Sequence, residues 1–137
     1  MRKIILGILF LGTVVAGSAI TATQTDEEYL PLKAAPDYHK PVLENEFVLV
    51  LDVSIPPGAT VPAHRHTWPA IFITLEPGHL IFKNLAGDTI REVQPPKVGS
   101  QSPLVEWREA DSEPASVTNV GKNAQRALRV ELKFVKR

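Results

Sequence analysis

Residues 58–78 read GATVPAHRHTWPAIFITLEPG. Gly58 completes a Pro56-Pro57-Gly58 break, where proline cannot donate to a strand ladder and glycine takes the turn. Two short β-prone runs follow, residues 60–66 and 70–75, and Glu76-Pro77-Gly78 closes the stretch. Within it, His64-Arg65-His66 places two imidazoles at i and i+2, on one face of a strand with Arg65 on the other. At that spacing both rings can converge on one ion at ~2.0–2.1 Å.

The same period extends outward on both sides. Upstream, EFVLVLDVSI (46–55) sets Phe47, Leu49, Leu51, Val53 and Ile55 on one face and Glu46, Asp52 and Ser54 on the other. Downstream, strands are expected at HLIFK, TIREV, LVEWR, residues 115–119 and RALRVELKF, separated by turns and by the loop 94–103. In RALRVELKF, Leu128, Val130, Leu132 and Phe134 share one face, and Arg129, Glu131 and Lys133 the other. With Lys122, Arg126, Lys136 and Arg137, this basic segment is expected to be a solvated face. About eight short strands with no helical period predict an all-β fold, an antiparallel sandwich or barrel.

Composition narrows the function. The chain has 137 residues, no cysteine, and 15 basic against 15 acidic side chains. Thiol catalysis, disulfides and zinc fingers are excluded, and a nucleic-acid partner has no bulk electrostatic support. No G-x-S-x-G, P-loop or G-x-G-x-x-G is present. Proline, at 12 residues, favours many turns.

The N-terminus has the layout of a secretory signal peptide: Arg2 and Lys3, then an uncharged run over 4–16, then small residues at Gly17, Ser18, Ala19 and Ala22. Residues 1–22 are assigned to it, with cleavage after Ala19 or Ala22; a retained anchor is the alternative. Removing Arg2 and Lys3 leaves 13 basic against 15 acidic residues in the exported chain, a net of −2. A periplasmic or secreted protein, free of the membrane after cleavage, is expected. Residues 23–37 are expected to form a loose arm, and 38–137 the barrel.

The spacing of Gly58, His64, His66 and Gly78 resembles the first motif of the cupin superfamily, G-x5-H-x-H followed by a glutamate and a glycine. The resemblance covers roughly residues 37–133 and is greatest to small, single-domain exported cupins. It implies a jelly-roll barrel. It also implies four metal ligands, of which two are absent here. The glutamate falls at Ile71, and anchoring the second motif on Asn119 puts Ala110, Ser112 and Ala115 where its proline, glycine and histidine belong. His64 and His66 are thus an incomplete candidate set for iron, manganese or zinc. Glu109, Asp111, Glu113, Glu76 and His79 are possible substitutes.

Three functions follow as expectations. The first is non-catalytic binding of a small polar molecule in the barrel by His64, His66, Trp68 and Trp107. The second is a metal-dependent oxygenase, isomerase or lyase of a small organic acid or sugar. Glu109 is its candidate acid or base if strand parity, shared with Val105 and a core Trp107, buries it. The third is an interaction module, a homodimer through its sheet edges.

Overall fold

A computed structural model describes residues 26–97 and 104–134. The proposed signal segment and part of the loop 94–103 lie outside the described residues.

A 3₁₀ turn (Asp26–Tyr29) and a one-turn helix α1 (Pro31–Ala34) precede nine strands. These are β1 (His39–Glu44), β2 (Val48–Ile55), β3 (Thr60–His64), β4 (Ala70–Glu76), β5 (Leu80–Lys83), β6 (Thr89–Val93), β7 (Leu104–Arg108), β8 (Ala115–Asn119) and β9 (Gln125–Leu132). They form a five-stranded sheet, β1-β2-β9-β4-β7, and a four-stranded sheet, β3-β8-β5-β6. Every pairing is antiparallel. This is the expected all-β jelly roll with one strand more than expected.

The additional strand is β1. It carries Pro41 and buries only its first residue, so no alternation marks it. Proline is tolerated because β1 is the sheet's edge, bonded to β2 alone. By contrast β2 alternates fully, with Leu49, Leu51, Val53 and Ile55 at most 6% exposed. Each such side chain contributes roughly 1.5–3 kcal/mol by leaving water. They meet Val61, Leu80 and Val117 of the other sheet in the core. Phe47 lies ahead of the strand and is exposed rather than aligned with that face.

Residues 26–37 are seated rather than loose. Ala35 is buried, Tyr29 accepts a backbone hydrogen bond from Arg65, and Asp26 pairs with the Arg65 guanidinium at 3.0 Å.

The face assigned to β9 is inverted. Gln125, Ala127, Arg129 and Glu131 point inward, and Leu128, Val130 and Leu132 outward. The cause is register. Leu51 stands opposite Arg129 and Leu49 opposite Glu131, so the two charged residues share the face that β2 turns to the core. Arg129 and Glu131 are therefore buried, not solvated.

Asn119 ties the two sheets together. Fully buried, it donates to the carbonyls of Ile55 and Asn123 at 2.9 and 2.8 Å and accepts from the Gly121 amide at 3.0 Å. Its own amide bonds Ala59, and its carbonyl receives the amide of Gly58, a residue in the left-handed region at φ 76°. Asn119→Ala leaves three polar backbone groups without their side-chain partner. A loss of about 3 kcal/mol is expected in urea denaturation. A loss under about 1 kcal/mol contradicts this role.

Candidate metal centre

His64 ends β3, and His66 follows two residues on, turned to the same side. Both are buried, as the shared-face reading requires. A third imidazole meets them. His39, the first residue of β1 in the opposite sheet, is 3% exposed. Ring centroids lie 4.7 Å apart for His39 and His64, 5.3 Å for His39 and His66, and 5.2 Å for His64 and His66.

Each ring is held by its Nδ1 atom. His39 Nδ1 lies 3.1 Å from the carbonyl of Ala35, at the end of α1. His64 Nδ1 lies 2.8 Å from the carbonyl of Pro62. His66 Nδ1 lies 2.6 Å from Glu131 Oε1. A carbonyl only accepts, and the Glu131 oxygen also receives Arg129 Nε–H at 3.1 Å, so in all three rings Nδ1 carries the proton and donates. Every Nε2 is left as a lone pair. An outer oxygen that fixes the tautomer and frees the other nitrogen is the arrangement of metal-binding histidines.

Burial keeps the rings neutral. It pushes His39 down to about 4, helped by the adjacent His64. His64 is lowered by burial against the opposing pull of the Pro62 carbonyl. His66 is held well below its ordinary value by burial and then by the Arg129 guanidinium. Glu131 would favour a proton on His66, but Arg129 shares that carboxylate. Burial raises Glu131 itself.

The shifts fix a pH dependence for the metal-free protein. The unfolded chain protonates its histidines near 6.5, whereas folded His39 resists until about 4. Between those values the unfolded state binds more protons, so stability falls as pH falls. His39 alone accounts for a loss of roughly 3 kcal/mol, complete below its folded value. His64 and His66 act in the same direction. Glu131 acts oppositely in the window above its ordinary value. Urea midpoints in the presence of a chelator are expected to drop from about pH 7 to about pH 5; a flat profile contradicts neutral burial of the three rings.

The donor set fits a divalent ion. One nitrogen from each ring lies within 4.8 Å of the others, the one such group of three among the described residues. Three donors ~2.0–2.1 Å from a common ion in tetrahedral geometry are about 3.4 Å apart, so an ion would draw the rings together by about 1 Å. The histidines line a cavity of about 730 Å³ together with Phe72, Phe82, Arg91 and Trp107. The segment after β7 clamps this wall: His66 N–H donates to Asp111 Oδ2, and Asp111 N–H to the His66 carbonyl, both at 2.8 Å.

Other expected residues stand elsewhere. Glu109 is exposed at the cavity wall and accepts Trp107 Nε1–H at 2.5 Å; it is not a buried acid beside the histidines. Trp107 is 51% exposed rather than core: it stands on edge strand β7 opposite Ile71, itself 37% exposed, and lines the cavity. Trp68 packs against the core, and its carbonyl accepts from Arg129. Asp111 shapes the His66 backbone instead of joining the three nitrogens. Glu76 pairs with Arg126, and His79 with Glu92. Glu113 is exposed at the cavity wall.

The two missing motif positions are explained by register. Ala115 stands directly opposite His64, beside the site as expected. Ile71 points outward, and the inward position is its neighbour Ala70, whose β9 partner is Glu131. A carboxylate thus reaches the region from the adjacent strand and holds His66. His39, 25 residues before His64 on a strand with no readable period, carried no sequence signal beyond being a histidine.

No protein-family model matches the chain, and no curated protein matches it. Solved structures do. A cupin domain from Bordetella pertussis Tohama I aligns at TM-score 0.54 and 19% identity, over 69% of this chain and 91% of that one. A protein with a double-stranded β-helix domain from Klebsiella pneumoniae aligns at TM-score 0.48 and 14% identity, over 82% and 90%. An RmlC-like cupin from Desulfovibrio desulfuricans aligns at TM-score 0.44 and 16% identity, over 87% and 97%. With its two antiparallel sheets, its inward-facing histidines and the likeness to the Bordetella domain, the chain has the cupin fold.

Proposed function

We propose that this chain is an exported member of the cupin superfamily. It holds one divalent transition metal on Nε2 of His39, His64 and His66 and acts as a metal-dependent enzyme on a small polar molecule in the barrel. The observation that carries this is the geometry of three buried rings, each with Nδ1 within hydrogen-bond distance of an oxygen, which leaves Nε2 of each free to bind. Imidazole donors suit zinc, iron, copper and nickel.

The number of ligands separates catalysis from simple binding. Structural zinc sites close with four protein ligands, whereas catalytic sites keep three and leave a position open. Three ligands facing a cavity favour the enzymatic reading over the non-catalytic one. Such an ion supplies Lewis-acid polarisation of a ligand oxygen. The chain's own groups orient and exclude. Ala35, Pro62 and Glu131 fix the rings, Asp111 fixes the His66 backbone, and Phe72 and Phe82 give the cavity an apolar wall. The basic start and apolar run of residues 1–22 support export.

Cobalt(II) tests the open position. Titration is expected to produce a visible absorption spectrum at one ion per chain that shifts when acetate is added. A spectrum unmoved by acetate and by small sugars contradicts an accessible, unsaturated ion.

A further inference from the structure

Among the described residues, three arginines line the cavity: Arg91, Arg108 and Arg129. Two of them have a carboxylate beside them. Arg129 meets Glu131 at 3.1 Å, and Arg108 meets Glu106 at 2.5 Å. All 15 acidic side chains of the chain lie within the described residues, and none forms an ion pair with Arg91. Arg91 is nonetheless held in place. On β6 it stands opposite Phe82 of β5, on the same side of the sheet, and Phe82 packs against the core. The guanidinium carbon of Arg91 lies 4.9 Å from the centre of the Phe82 ring. The other sheet repeats the pair, with Arg108 5.3 Å over Phe72 of β4. β6 and β7 are the edges of their sheets, and Arg91 is exposed, so it stands where the cavity meets solvent.

We propose that Arg91 binds the carboxylate of a small organic acid, whose apolar body lies against Phe72 and Phe82 and whose far end reaches the three histidines. The inference deepens the metal-dependent reading and rests on it for the chemistry at that far end, but the Arg91 contact itself needs no metal. The first support is the state of the guanidinium. A ring against its flat side orients it, while its planar N–H fork, which matches a carboxylate in two parallel hydrogen bonds, stays open. The second is the condition of the nearby acids. Glu106 is taken by Arg108, Glu109 accepts from Trp107, and Asp111 accepts from the His66 amide. Glu113 is exposed, where solvent and salt weaken its repulsion of an anion. The third is the walls. Two phenylalanines from opposite sheets suit an apolar body, and a cavity of about 730 Å³ is the size of small-molecule sites. A neutral sugar leaves Arg91 without a counter-ion, whereas an acid supplies one.

Isothermal titration calorimetry of the full chain with benzoate, and with benzamide as its neutral isostere, tests this. Both are titrated into zinc-loaded protein and into protein stripped with a chelator that is then dialysed away. Benzoate is expected to bind at least about tenfold tighter than benzamide, since a hydrogen-bonded charge is worth about 1.5–3 kcal/mol. The preference is expected in both preparations. Arg91→Gln is expected to erase it while keeping the wild-type circular dichroism spectrum, the position being exposed on an edge strand. Lys83→Gln, an exposed cation on the neighbouring strand β5, is expected to leave it intact. The proposal is overturned if benzoate binds no better than benzamide, or if the preference survives Arg91→Gln. It is also overturned if Lys83→Gln erases the preference equally, or if the preference exists only with zinc present, which would place the carboxylate on the ion. Cobalt(II) stoichiometry on the same samples reports the metal centre separately. An Arg91-dependent preference in a chain that takes up no cobalt keeps this inference and removes the metal reading; one cobalt per chain with no preference does the reverse.

Discussion

Replacing His39 with alanine is expected to abolish metal binding as completely as replacing His64 or His66. In sequence His39 has no motif, and the H-x-H pair looks self-sufficient. In the fold, His39 Nδ1 is anchored on Ala35 and its ring lies 4.7 Å from that of His64, so it supplies a full third of the donor set. Loss of an outer partner of a ligand costs about 10–100-fold in metal affinity. Loss of a ligand itself therefore costs more than about a hundredfold. Glu131→Gln gives the calibration: its amide oxygen still accepts from His66 Nδ1–H but brings no charge, so a loss within that 10–100-fold range is expected. Competition against a fluorescent chelator measures both. The account fails at this point if His39→Ala binds zinc within tenfold of wild type while His64→Ala does not.

Arg129→Met is expected to be the most destabilising single change in the barrel. Arg129 is 5% and Glu131 2% exposed, and they meet at 3.1 Å between Nε and Oε1. Removing one member of a buried pair leaves an uncompensated charge, at a cost of about 3–5 kcal/mol. For a domain of this size that lowers Tm by more than about 10 °C. Arg129 also donates to the Trp68 carbonyl at 3.3 Å, so the segment joining His66 to β4 loses an anchor as well. The double variant Arg129→Met/Glu131→Gln separates charge from packing. With no charge left to compensate, it is expected to recover most of the loss, because neutral groups replace a buried ion pair at little net cost. A single variant within about 1 kcal/mol of wild type contradicts the buried pair. A double variant no better than the single one assigns the cost to packing instead.

The fold was legible because most strands alternate in the ordinary way. The bounds of β6, β7 and β8 coincide with the residues expected, and β2 buries the four aliphatic side chains assigned to its inner face. Two strands defeated the pattern for different physical reasons. Edge strand β1, with Pro41, buries a single histidine and so has no period to read. β9 alternates perfectly, but alternation states only that two faces differ, not which one is inside. On β9 the polar face with Gln125, Arg129 and Glu131 is the inner one and Leu128, Val130 and Leu132 face out, so the usual assignment inverts. The site was half legible for the same reasons. His64 and His66 are local and share a face by spacing alone. Their partners come from the two misread strands: His39 from β1, and Glu131 and Arg129 from β9. Glu109 failed because it lies past the end of β7, exposed at the cavity wall with its carboxylate accepting Trp107 Nε1–H, rather than buried among the histidines.

The most direct measurement is the anomalous scattering of a crystal of the cobalt(II)-loaded protein. The account predicts one strong peak per chain, about 2.1 Å from Nε2 of His39, His64 and His66, with at least one coordination position turned to the cavity. A peak held by His64 and His66 without His39, or no peak among the three rings in a metal-loaded crystal, would contradict it.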